Sequence, residues 1–542
     1  MTEFFQDGPV LKNQYDDDPF LRFYLRKTLP PKTFNKLEPD LRKLGNKAAT
    51  SLLNLGKSAE QNPPRHVPYD AWGHRIDEIE TSEAWKELEK IAAQEGLVSI
   101  GYERKQGGFS RVHQFAKIYL YGPSSAIFTC PLAMTDGAAR AVELYGDDEM
   151  KKNVFAHLTS RNPRQFFTSG QWMTERTGGS DVSGTSTIAK KVSGNQYKLF
   201  GTKWFTSATT SHVAMALARI EGAPEGSKGL SLFCVRLRDE KGALQGIRIH
   251  RLKEKLGTRA LPTAELTLDG APATLVGDEG NGVKKISSLF NITRIWNASS
   301  ALGYMRRGVA LAKDYSTKRR AFGKLIAEHP LHQETLAAVE TEWAGAFHLV
   351  FRVAELLGKE EVNEATPSEK ALLRLLTPVV KLFTAKQGVS VASEVLECFG
   401  GAGYIEDTGL PSLLRDSQVL AIWEGTTNVL SLDMLRALDK EKAMGPFVKD
   451  VNRILTGIQS KDLQPLAKQL KQVLVETQKW SEHLPEVQAR KFAFQLARIY
   501  SGALLVEYAD WCQKNEKLFV KNSSSLQLAM LAAKRWCAIL TS

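Results

Sequence analysis

The stretch QWMTERTGGSD, at residues 171–181, marks the point at which the character of the chain changes. Upstream of it, apolar residues such as Trp85 and Leu88 recur at helical spacing. Downstream of it come short strand-like runs separated by glycines, in which Ile247 and Ile249 alternate with polar residues. The Gly-Gly pair permits a close approach of the backbone to a flat or anionic ligand, and an ordinary turn between a helix and a strand explains it about equally well.

Outward from this stretch, the pattern predicts an α+β protein in five parts. Residues 1–60 are expected to form an irregular extension with short helices, and 61–164 a helical domain. Residues 165–281 are expected to form a β-barrel or β-sandwich domain, 282–438 a helical bundle, and 439–542 an extra C-terminal helical domain. The strands are predicted at 197–200, 213–219, 230–235, 247–252 and 264–268. The long bundle helices are predicted at 282–315, 329–358, 368–399 and 426–438.

The composition is that of an ordinary globular protein, with 43% hydrophobic and 24% charged residues in 542. Five cysteines are scattered without a Cys-x-x-Cys pair, which argues against a disulfide framework and a zinc site, so no metal is expected. The net charge of +12 favours acidic partners, either the phosphates of a nucleotide ligand or nucleic acid. Residues 439–542 hold 16 Lys or Arg and 10 Asp or Glu, but the two signs are interspersed. A solvated helical surface is therefore favoured there over a nucleic-acid site.

Neither a membrane span nor an organelle address is evident in the sequence. No run of about 18 apolar residues occurs. The start MTEFF, followed by Asp16, Asp17 and Asp18, is not Arg-rich and lacks an apolar core. The end Leu-Thr-Ser is not the peroxisomal signal Ser-Lys-Leu. We therefore expect a cytoplasmic location.

Two further stretches combine groups that suit a nucleotide-like ligand. KWFTS at residues 203–207 places an aromatic pair beside hydroxyls, which fits the wall of a site for a flat ring. A buried strand with two core aromatics is an equally good explanation. RRAFG at 319–323 could grip a pyrophosphate through charge-assisted hydrogen bonds, although a solvated basic turn is the better explanation of a lone Arg pair.

A fourth constellation runs from ECFGGAGY at residues 397–404 to IWEGTTN at 422–428. Its Gly-Gly turn can end one helix and admit a phosphate. Glu424 stands between apolar Trp423 and flexible Gly425, where partial desolvation would make its carboxylate a stronger base. The alternative is an ordinary glutamate at a helix N-terminus, favoured by the helix dipole.

The combination of these stretches, in this order, resembles the acyl-CoA dehydrogenase family. The likeness is strong over residues 165–438 and weaker over 60–165. It implies that family's fold, with a helical N-terminal domain, a β domain and a four-helix bundle. Further stretches and the extra C-terminal domain resemble the long subgroup typified by the bacterial alkylation-response protein AidB, and the pattern is compatible with an animal member of it. These stretches are NPP at 62–64, YDAWGHR at 69–75 and RLKEKLG at 251–257.

The resemblance implies FAD as the cofactor and fatty-acyl-CoA as the ligand, and it carries specific positions with it. The positions implied to contact FAD are Met173, Thr174, Gly179, Ser180, Trp204, Phe205, Thr206, Arg319, Gly400, Gly401, Thr426 and Asn428. Arg319 and the Gly400-Gly401 turn match contacts to the FAD of a neighbouring subunit, which implies a homotetramer or dimer of dimers. The positions implied to contact acyl-CoA are Ser180, Asn291, Arg294 and Gly425. Asn291 replaces the family's Asp, and Pro330 stands where relatives often carry Gln.

The resemblance also implies a reaction, to which there are two alternatives. Glu424 would remove the α-proton of a fatty-acyl thioester, the β-hydride would pass to flavin N5, and the product would be a 2-enoyl-CoA. One alternative is a flavoprotein that sequesters acyl-CoA, with a regulatory role in lipid metabolism. The other, less favoured, is a nucleic-acid-binding flavoprotein like AidB, whose affinity for DNA would fall steeply with salt. The sequence assigns no electron acceptor.

Overall fold

The structure is a computed structural model that describes residues 7–519 and 523–541. The first five residues and Ser542, on which the expected cytoplasmic location partly rests, lie outside the described residues. Within the described ranges, no helix combines the length and the apolar character needed to cross a membrane.

The helices and strands of these residues are numbered in chain order. The helices are α1 (Leu21–Thr28), α2 (Pro31–Ala49), α3 (Ser51–Gln61), α4 (Glu83–Gln94), α5 (Ile100–Glu103), α6 (Ser110–Tyr121), α7 (Thr129–Tyr145), α8 (Asp148–Met150), α9 (Ala156–Leu158), α10 (Gly282–Ser316), α11 (Pro330–Glu361), α12 (Pro367–Cys398), α13 (Pro411–Leu420), α14 (Thr427–Lys440), α15 (Met444–Thr456), α16 (Gln464–Ser481), α17 (Ala489–Lys514) and α18 (Ser523–Thr541). The strands are β1 (Arg65–Tyr69), β2 (Arg75–Glu80), β3 (Ser169–Trp172), β4 (Ile188–Ser193), β5 (Gln196–Ser207), β6 (Val213–Ile220), β7 (Leu230–Arg236), β8 (Ile247–Leu252), β9 (Thr263–Leu275), β10 (Arg320–Ala321) and β11 (Lys324–Leu325).

The chain folds as two compact units, each assembled from separate segments of the sequence. The first, called the β unit here, consists of residues 52–103 and 124–296. The second, called the helical unit, consists of residues 1–51, 104–123 and 297–542. The helix α10 contains one of the boundaries between them.

Seven strands of the β unit form one sheet that closes on itself. β6 pairs with β4, β4 with β5, β5 with β9, β9 with β7, and β7 pairs in turn with β6. β3 lies parallel to β6, and β8 lies antiparallel to β9. Trp172, Phe233 and Leu266 are fully buried in the core of this sheet. The predicted β domain is therefore confirmed, and of the two forms predicted for it, barrel or sandwich, the closed sheet corresponds to the barrel.

The five predicted strand runs lie within β5, β6, β7, β8 and β9. β8 has the predicted alternation, with Ile247 and Ile249 buried and Arg248 and His250 exposed. The pattern missed the hairpin of β1 and β2 and the strands β3 and β4. These strands are short or expose most of their residues, so they lack the apolar alternation by which a strand is recognised.

Long buried helices form the centre of the helical unit. α11 and α12, each 32 residues long, pack against each other, and α14 packs on α12. α12 begins at a capping box in which the Thr366 hydroxyl accepts a hydrogen bond from the Glu369 N–H. The four predicted bundle helices coincide with α10, α11, α12 and α14 to within three residues at each end.

The prediction that residues 1–60 form an irregular extension is wrong, because most of residues 21–61 are helical. α1, α2 and α3 cover residues 21–61 almost without a break, and α2 is 19 residues long. The helix α2 buries one face, on which apolar residues repeat at helical steps. These residues are Phe34, Leu37, Leu41 and Leu44. Pro31 does not interrupt the helix, because it occupies the first helical position, where a missing N–H costs no hydrogen bond.

The extra C-terminal helices pack into the helical unit through a buried tryptophan. Trp536 of α18 is fully buried, and its indole N–H donates a hydrogen bond to the Arg498 carbonyl of α17 at 2.8 Å. Gly345 of α11 faces this indole ring, and a Cβ at that position would overlap it. The bundle helix therefore has a notch at Gly345 that receives a side chain from the C-terminal domain.

Candidate active site

Glu424 lies in the short turn that joins α13 to α14, at residues 421–426. It is half-buried and has a φ of +57°, in the left-handed region that residues other than glycine seldom occupy. Gly425 follows with a φ of +99°. The cap of α14 is Thr426, whose hydroxyl accepts a hydrogen bond from the Val429 N–H. Glu424 precedes this cap, so the alternative of an ordinary helix N-terminal glutamate does not describe it.

Two buried polar side chains from other helices hold this turn. Asn297 of α10 donates a hydrogen bond from Nδ2 to the Leu420 carbonyl at 3.1 Å, and its Oδ1 accepts one from Trp423 Nε1. Lys381 of α12 donates from Nζ to the Gly425 carbonyl at 2.6 Å. Asn297 is 4% exposed and Lys381 is fully buried. The residues on both sides of the glutamate are therefore attached to the bundle.

Gly400 and Gly401 lie in an open 3-10 turn that follows α12. Among the described residues, no atom beyond the chain neighbours lies within 4 Å of a Cβ added to either glycine. The ring of Phe399 packs on that of Tyr315 with 4.7 Å between centroids, which brings the turn to the end of α10. Arg319 follows that end of α10 and is exposed. The structure therefore brings Arg319 and the Gly400-Gly401 turn to the same end of the bundle.

These positions lie far from the turn that holds Glu424. Lys381, which contacts Gly425, precedes the end of α12 by 17 residues, and at 1.5 Å per residue this is about 26 Å along the helix axis. The helical unit of one chain therefore carries two separate groups of predicted ligand contacts. One group is Glu424, Gly425, Thr426 and Asn428, and the other is Arg319, Gly400 and Gly401.

Thr426 and Asn428, at the beginning of α14, are exposed. Arg490, near the beginning of α17, donates a hydrogen bond from Nη1 to the Asn428 side-chain oxygen at 3.3 Å. The extra C-terminal domain therefore borders the segment that is predicted to contact FAD.

The β unit carries the remaining predicted FAD contacts side by side. The Trp204 N–H of β5 donates a hydrogen bond to the Thr174 carbonyl at 2.9 Å, which joins the stretch at 173–180 to the strand. Thr206 is buried, and its hydroxyl donates to the Ala264 carbonyl at 2.8 Å. Because that proton is engaged, the Thr206 hydroxyl can offer a ligand only its acceptor lone pairs.

The accessible surface of this group consists of the aromatic pair and the glycine turn. Phe205 is 50% exposed, and Gly179 and Ser180 are exposed, whereas Met173 is buried. A Cβ on Gly179 would overlap the Thr174 hydroxyl, so a side chain here would displace that threonine. Of the positions in this stretch, Gly179 and Ser180 can therefore meet a ligand directly, while Met173 belongs to the core.

The same two stretches contain a buried ion pair to which the sequence patterns assign no role. Lys203 Nζ donates to Glu175 Oε1 at 2.8 Å, and both side chains are almost fully buried. Glu175 also accepts hydrogen bonds from the backbone N–H and hydroxyl groups of Ser186 and Thr187. Burial raises the pKa of Glu175, but the Lys203 ammonium and these hydrogen bonds outweigh burial and lower the pKa to about 2. The only sequence signal for the pair is that its two residues carry opposite charges.

A second cation of the β unit lies over the aromatic pair. Lys253 Nζ is 3.9 Å from the ring centroid of Trp204 and 4.4 Å from that of Phe205, within the range of cation–π attraction. The same ammonium forms an ion pair with Glu265 at 2.7 Å. These contacts fix the orientation of the aromatic pair. Lys253 belongs to the stretch RLKEKLG, but no sequence pattern predicts that it lies over the two rings.

The predicted CoA contacts Asn291 and Arg294 lie on α10 within the β unit. Both are half-buried, and because they are three residues apart they share one face of the helix. Pro330 is exposed at the first position of α11, where its fixed φ suits the start of a helix. Pro330 is therefore accounted for by the helix that it begins.

The residues present in each unit fit FAD. In the helical unit, the open Gly400-Gly401 turn leaves its backbone accessible, and the exposed Arg319 offers a charge-assisted donor to a pyrophosphate. In the β unit, the exposed Phe205 beside the exposed Gly179 and its neighbours offers an apolar wall and hydroxyl groups to a flat ring.

Four family profiles match the chain and together cover most of its length. They are the acyl-CoA dehydrogenase C-terminal domain at residues 280–438, the acyl-CoA dehydrogenase middle domain at 170–271, the adaptive response protein AidB N-terminal domain at 9–162, and the acyl-CoA dehydrogenase 11 C-terminal domain-like family at 442–541.

Individual relatives agree with these profiles. Acyl-CoA dehydrogenase family member 11 of Caenorhabditis elegans is 47% identical over 528 residues, which cover 93% of this chain and 86% of that protein. A crystal structure of C. elegans ACDH-11 in complex with C11-CoA is similar with a TM-score of 0.92 and 45% identity, covering 99% of this chain and 93% of that one. Putative acyl-CoA dehydrogenase AidB of Escherichia coli is 30% identical over 475 residues, 85% of this chain and 84% of that protein.

The chain therefore belongs to the acyl-CoA dehydrogenase family, whose cofactor is FAD. Within this family it falls in the long AidB-like branch, as the stretches at 62–64, 69–75 and 251–257 predict. The predicted family, fold and cofactor are confirmed.

Proposed function

We propose that this chain is an FAD-dependent dehydrogenase of fatty-acyl-CoA, in which Glu424 is the base that removes the α-proton. The observation that carries the proposal is the placement of Glu424 in the α13–α14 turn. Glu424 is half-buried, and the turn lies outside the hydrogen-bonded body of α14, so the carboxylate is not used as a helix cap. The membership of the chain in the acyl-CoA dehydrogenase family supports the same chemistry.

The reaction requires a base and a stabiliser of the negative charge that develops on the thioester oxygen. The Glu424 carboxylate accepts the α-proton. The Glu424 backbone N–H donates a hydrogen bond to the thioester oxygen and stabilises the developing charge. FAD, when bound, supplies the acceptor for the hydride that leaves the β-carbon. Loss of this proton and this hydride leaves a double bond between the α- and β-carbons, so the product is a 2-enoyl-CoA.

The substrate is proposed to be a fatty-acyl-CoA that contacts Ser180, Asn291, Arg294 and Gly425. The crystal structure of C. elegans ACDH-11 with C11-CoA, at 45% identity to this chain, supports this ligand class. Asn291 is neutral where the family carries Asp, so it can hydrogen-bond to CoA without repelling the CoA phosphates. Arg294, on the same face of α10, is the cation that suits those phosphates.

We further propose that each FAD site is completed by a second copy of the chain, within a homotetramer or dimer of dimers. The two groups of contact positions in the helical unit are separated by about 26 Å along α12. The group around Arg319 and Gly400 is bordered by Phe322 and Tyr404, which are 97% and 91% exposed. Exposed aromatic side chains of this kind are typical of surfaces that another protein covers.

The experiment that tests the catalytic proposal replaces Glu424 by Gln in the FAD-loaded protein. Glu424→Gln keeps the shape and the backbone N–H but removes the base. We expect bleaching of the flavin absorbance by undecanoyl-CoA to slow by about 10²–10⁴-fold, because this is what general-base catalysis by one group contributes. The matched control is Glu441→Gln, an exposed glutamate just beyond α14, which should bleach at the normal rate.

The outcome that contradicts the proposal is equal bleaching by the Glu424→Gln and unchanged proteins. If the unchanged protein binds undecanoyl-CoA but never bleaches, the alternative of an acyl-CoA-sequestering flavoprotein holds instead. Equilibrium dialysis with the same ligand distinguishes binding without reaction from failure to bind.

A further inference from the structure

The turn that carries Glu424 has a backbone geometry that its own sequence does not enforce. Glu424 occupies the left-handed region, where a side chain crowds the backbone, and the following Gly425 at φ +99° leaves the chain free to adopt other conformations. A turn of this kind keeps one geometry only if surrounding groups hold it. Because a shift of about 1 Å in a reacting group can cost about 10²-fold in rate, those groups bear directly on proton removal.

The first such group is the amide of Asn297. Its Nδ2 donates to the carbonyl of Leu420, the last residue of α13. The last carbonyl groups of a helix have no N–H partner within that helix. Its Oδ1 accepts the indole N–H of Trp423, which directly precedes the glutamate. Only an amide offers a donor and an acceptor on one short planar group, so Asn297 ties the end of α13 and the residue before Glu424 to the same point of α10.

The second group is the ammonium of Lys381. Lysine is seldom fully buried, because its charge loses the solvation of water. Lys381 is fully buried in the middle of α12, and its Nζ donates to the Gly425 carbonyl at 2.6 Å. An apolar side chain would suit the core of the bundle better, so the contact with the turn is a reason for the lysine to be there.

We propose that Asn297 and Lys381 are positioning residues that fix the Glu424 carboxylate for proton removal, one from each side of the turn. This inference rests on the proposed function. Neither residue is assigned to contact the substrate or FAD. Each acts through the backbone or the indole ring of a neighbour of Glu424.

The test compares Lys381→Met and Asn297→Leu, which keep side-chain size and remove the polar contacts, in the FAD-loaded protein. We expect the rate constant for flavin bleaching at saturating undecanoyl-CoA to fall at least about tenfold in each. The dissociation constant for undecanoyl-CoA, from the spectral shift of the flavin, should stay within about twofold, and the FAD content per chain should not change. A role in folding alone would not separate rate from affinity in this way.

The matched control is Lys117→Met, which removes another buried lysine of the helical unit, one that pairs with Asp40 at 2.7 Å. Its bleaching rate should be normal. Trp423→Phe serves as a milder variant if the two larger changes prevent folding. It removes the indole N–H that donates to Asn297 but keeps an aromatic ring at this half-buried position. It should slow bleaching in the same direction.

Several results overturn the inference. One is normal bleaching by Lys381→Met, Asn297→Leu and Trp423→Phe. Another is a parallel loss of bleaching rate and affinity for undecanoyl-CoA in these variants. A third is an equal loss of bleaching rate in the control Lys117→Met. If Glu424→Gln abolishes bleaching while these variants bleach normally, the proposed function stands and only the positioning role fails. If Glu424→Gln also bleaches normally, the proposed function itself has failed.

Discussion

Glu175 carries a negative charge inside the β unit because five groups satisfy it. These are the Lys203 ammonium and the N–H and hydroxyl groups of Ser186 and Thr187. Burial lowers the pKa of Lys203 while the Glu175 carboxylate opposes that shift, so the ammonium depends on its partner. A carboxyl group whose pKa is lower in the folded chain stabilises the fold above its ordinary pKa of 4.5, and this contribution is lost as the pH falls towards 2.

Replacement of Glu175 by Gln should therefore destabilise the protein at neutral pH. It leaves the Lys203 ammonium buried without its counter-charge, which costs about 3 kcal/mol. We expect the midpoint of thermal unfolding to fall by several degrees at pH 7. The difference from the unchanged protein should shrink as the pH is lowered from 4.5, because the unchanged protein then loses the contribution of its carboxylate.

Thermal scans across this pH range measure both effects. Glu221→Gln, in an exposed pair with Lys190, is the matched control and should leave the midpoint within about a degree. A constant difference between the Glu175→Gln and unchanged proteins from pH 7 to pH 3 would show that the ionised Glu175 carboxylate does not stabilise the fold.

The turn Gly400–Tyr404 between α12 and α13 is an element whose glycines serve different purposes. Gly403 packs directly on α12, and a Cβ there would overlap the Leu396 carbonyl. Gly401 faces open space. Gly403 is required because a side chain there would overlap the backbone of α12. Gly401 leaves the surface of the turn accessible.

Gly403→Ala should therefore destabilise the helical unit, and Gly401→Ala should not. Backbone displacement of this kind costs about 1–3 kcal/mol, and for a chain of this size we expect the unfolding midpoint to fall by a few degrees. Gly401→Ala provides the matched control, with a midpoint close to that of the unchanged protein. Equal midpoints for the two variants, measured by scanning calorimetry, would refute the packing requirement at Gly403.

Elements were predictable from the sequence where a long periodic pattern defines them. The bundle helices and the five longer strands have such patterns, and the family likeness singled out Glu424 and the glycine turns. The contacts that hold the Glu424 turn were not predictable. Asn297 is more than 120 residues from Leu420 and Trp423, and a single buried asparagine or lysine leaves no pattern in a sequence. The helix α2 was missed for a different reason, since its prolines and lysines conceal an apolar face.

At the scale of the whole molecule, the helical unit holds two separated groups of predicted contact positions. Arg319 and Gly400 lie together at one end of the bundle, and Glu424 lies in a turn attached to the middle of α12. In the proposed homotetramer or dimer of dimers, the first group would contact the FAD of a neighbouring copy. An assembly in which neighbouring copies exchange these groups uses both.

Charge placed on the exposed aromatic residues beside Arg319 should therefore break the assembly and release FAD. We expect the double variant Phe322→Asp and Tyr404→Asp to sediment as a smaller species than the unchanged protein and to lose most of its flavin absorbance. The two losses should occur together, because in the proposed assembly the second copy supplies part of each FAD site.

Analytical ultracentrifugation with detection at the flavin band records both properties in one experiment. The matched control is Val487→Asp, which charges an apolar residue of the same unit that is 88% exposed, in the C-terminal domain. It should keep the size and the flavin. A double variant that sediments unchanged, or that dissociates with its flavin still bound, would contradict the shared site.

The notch at Gly345 that receives Trp536 has a practical consequence for handling this protein in pieces. A shortened chain that stops near residue 438 would retain the proposed base and every proposed ligand contact. It would also expose to water the notch at Gly345 and the apolar surface of α11 around it, which the Trp536 ring covers in the full chain. Such a fragment would aggregate, and its lack of activity would not test the role of Glu424. The C-terminal domain at residues 439–542 is therefore a structural part of the bundle and should be retained in any shortened chain.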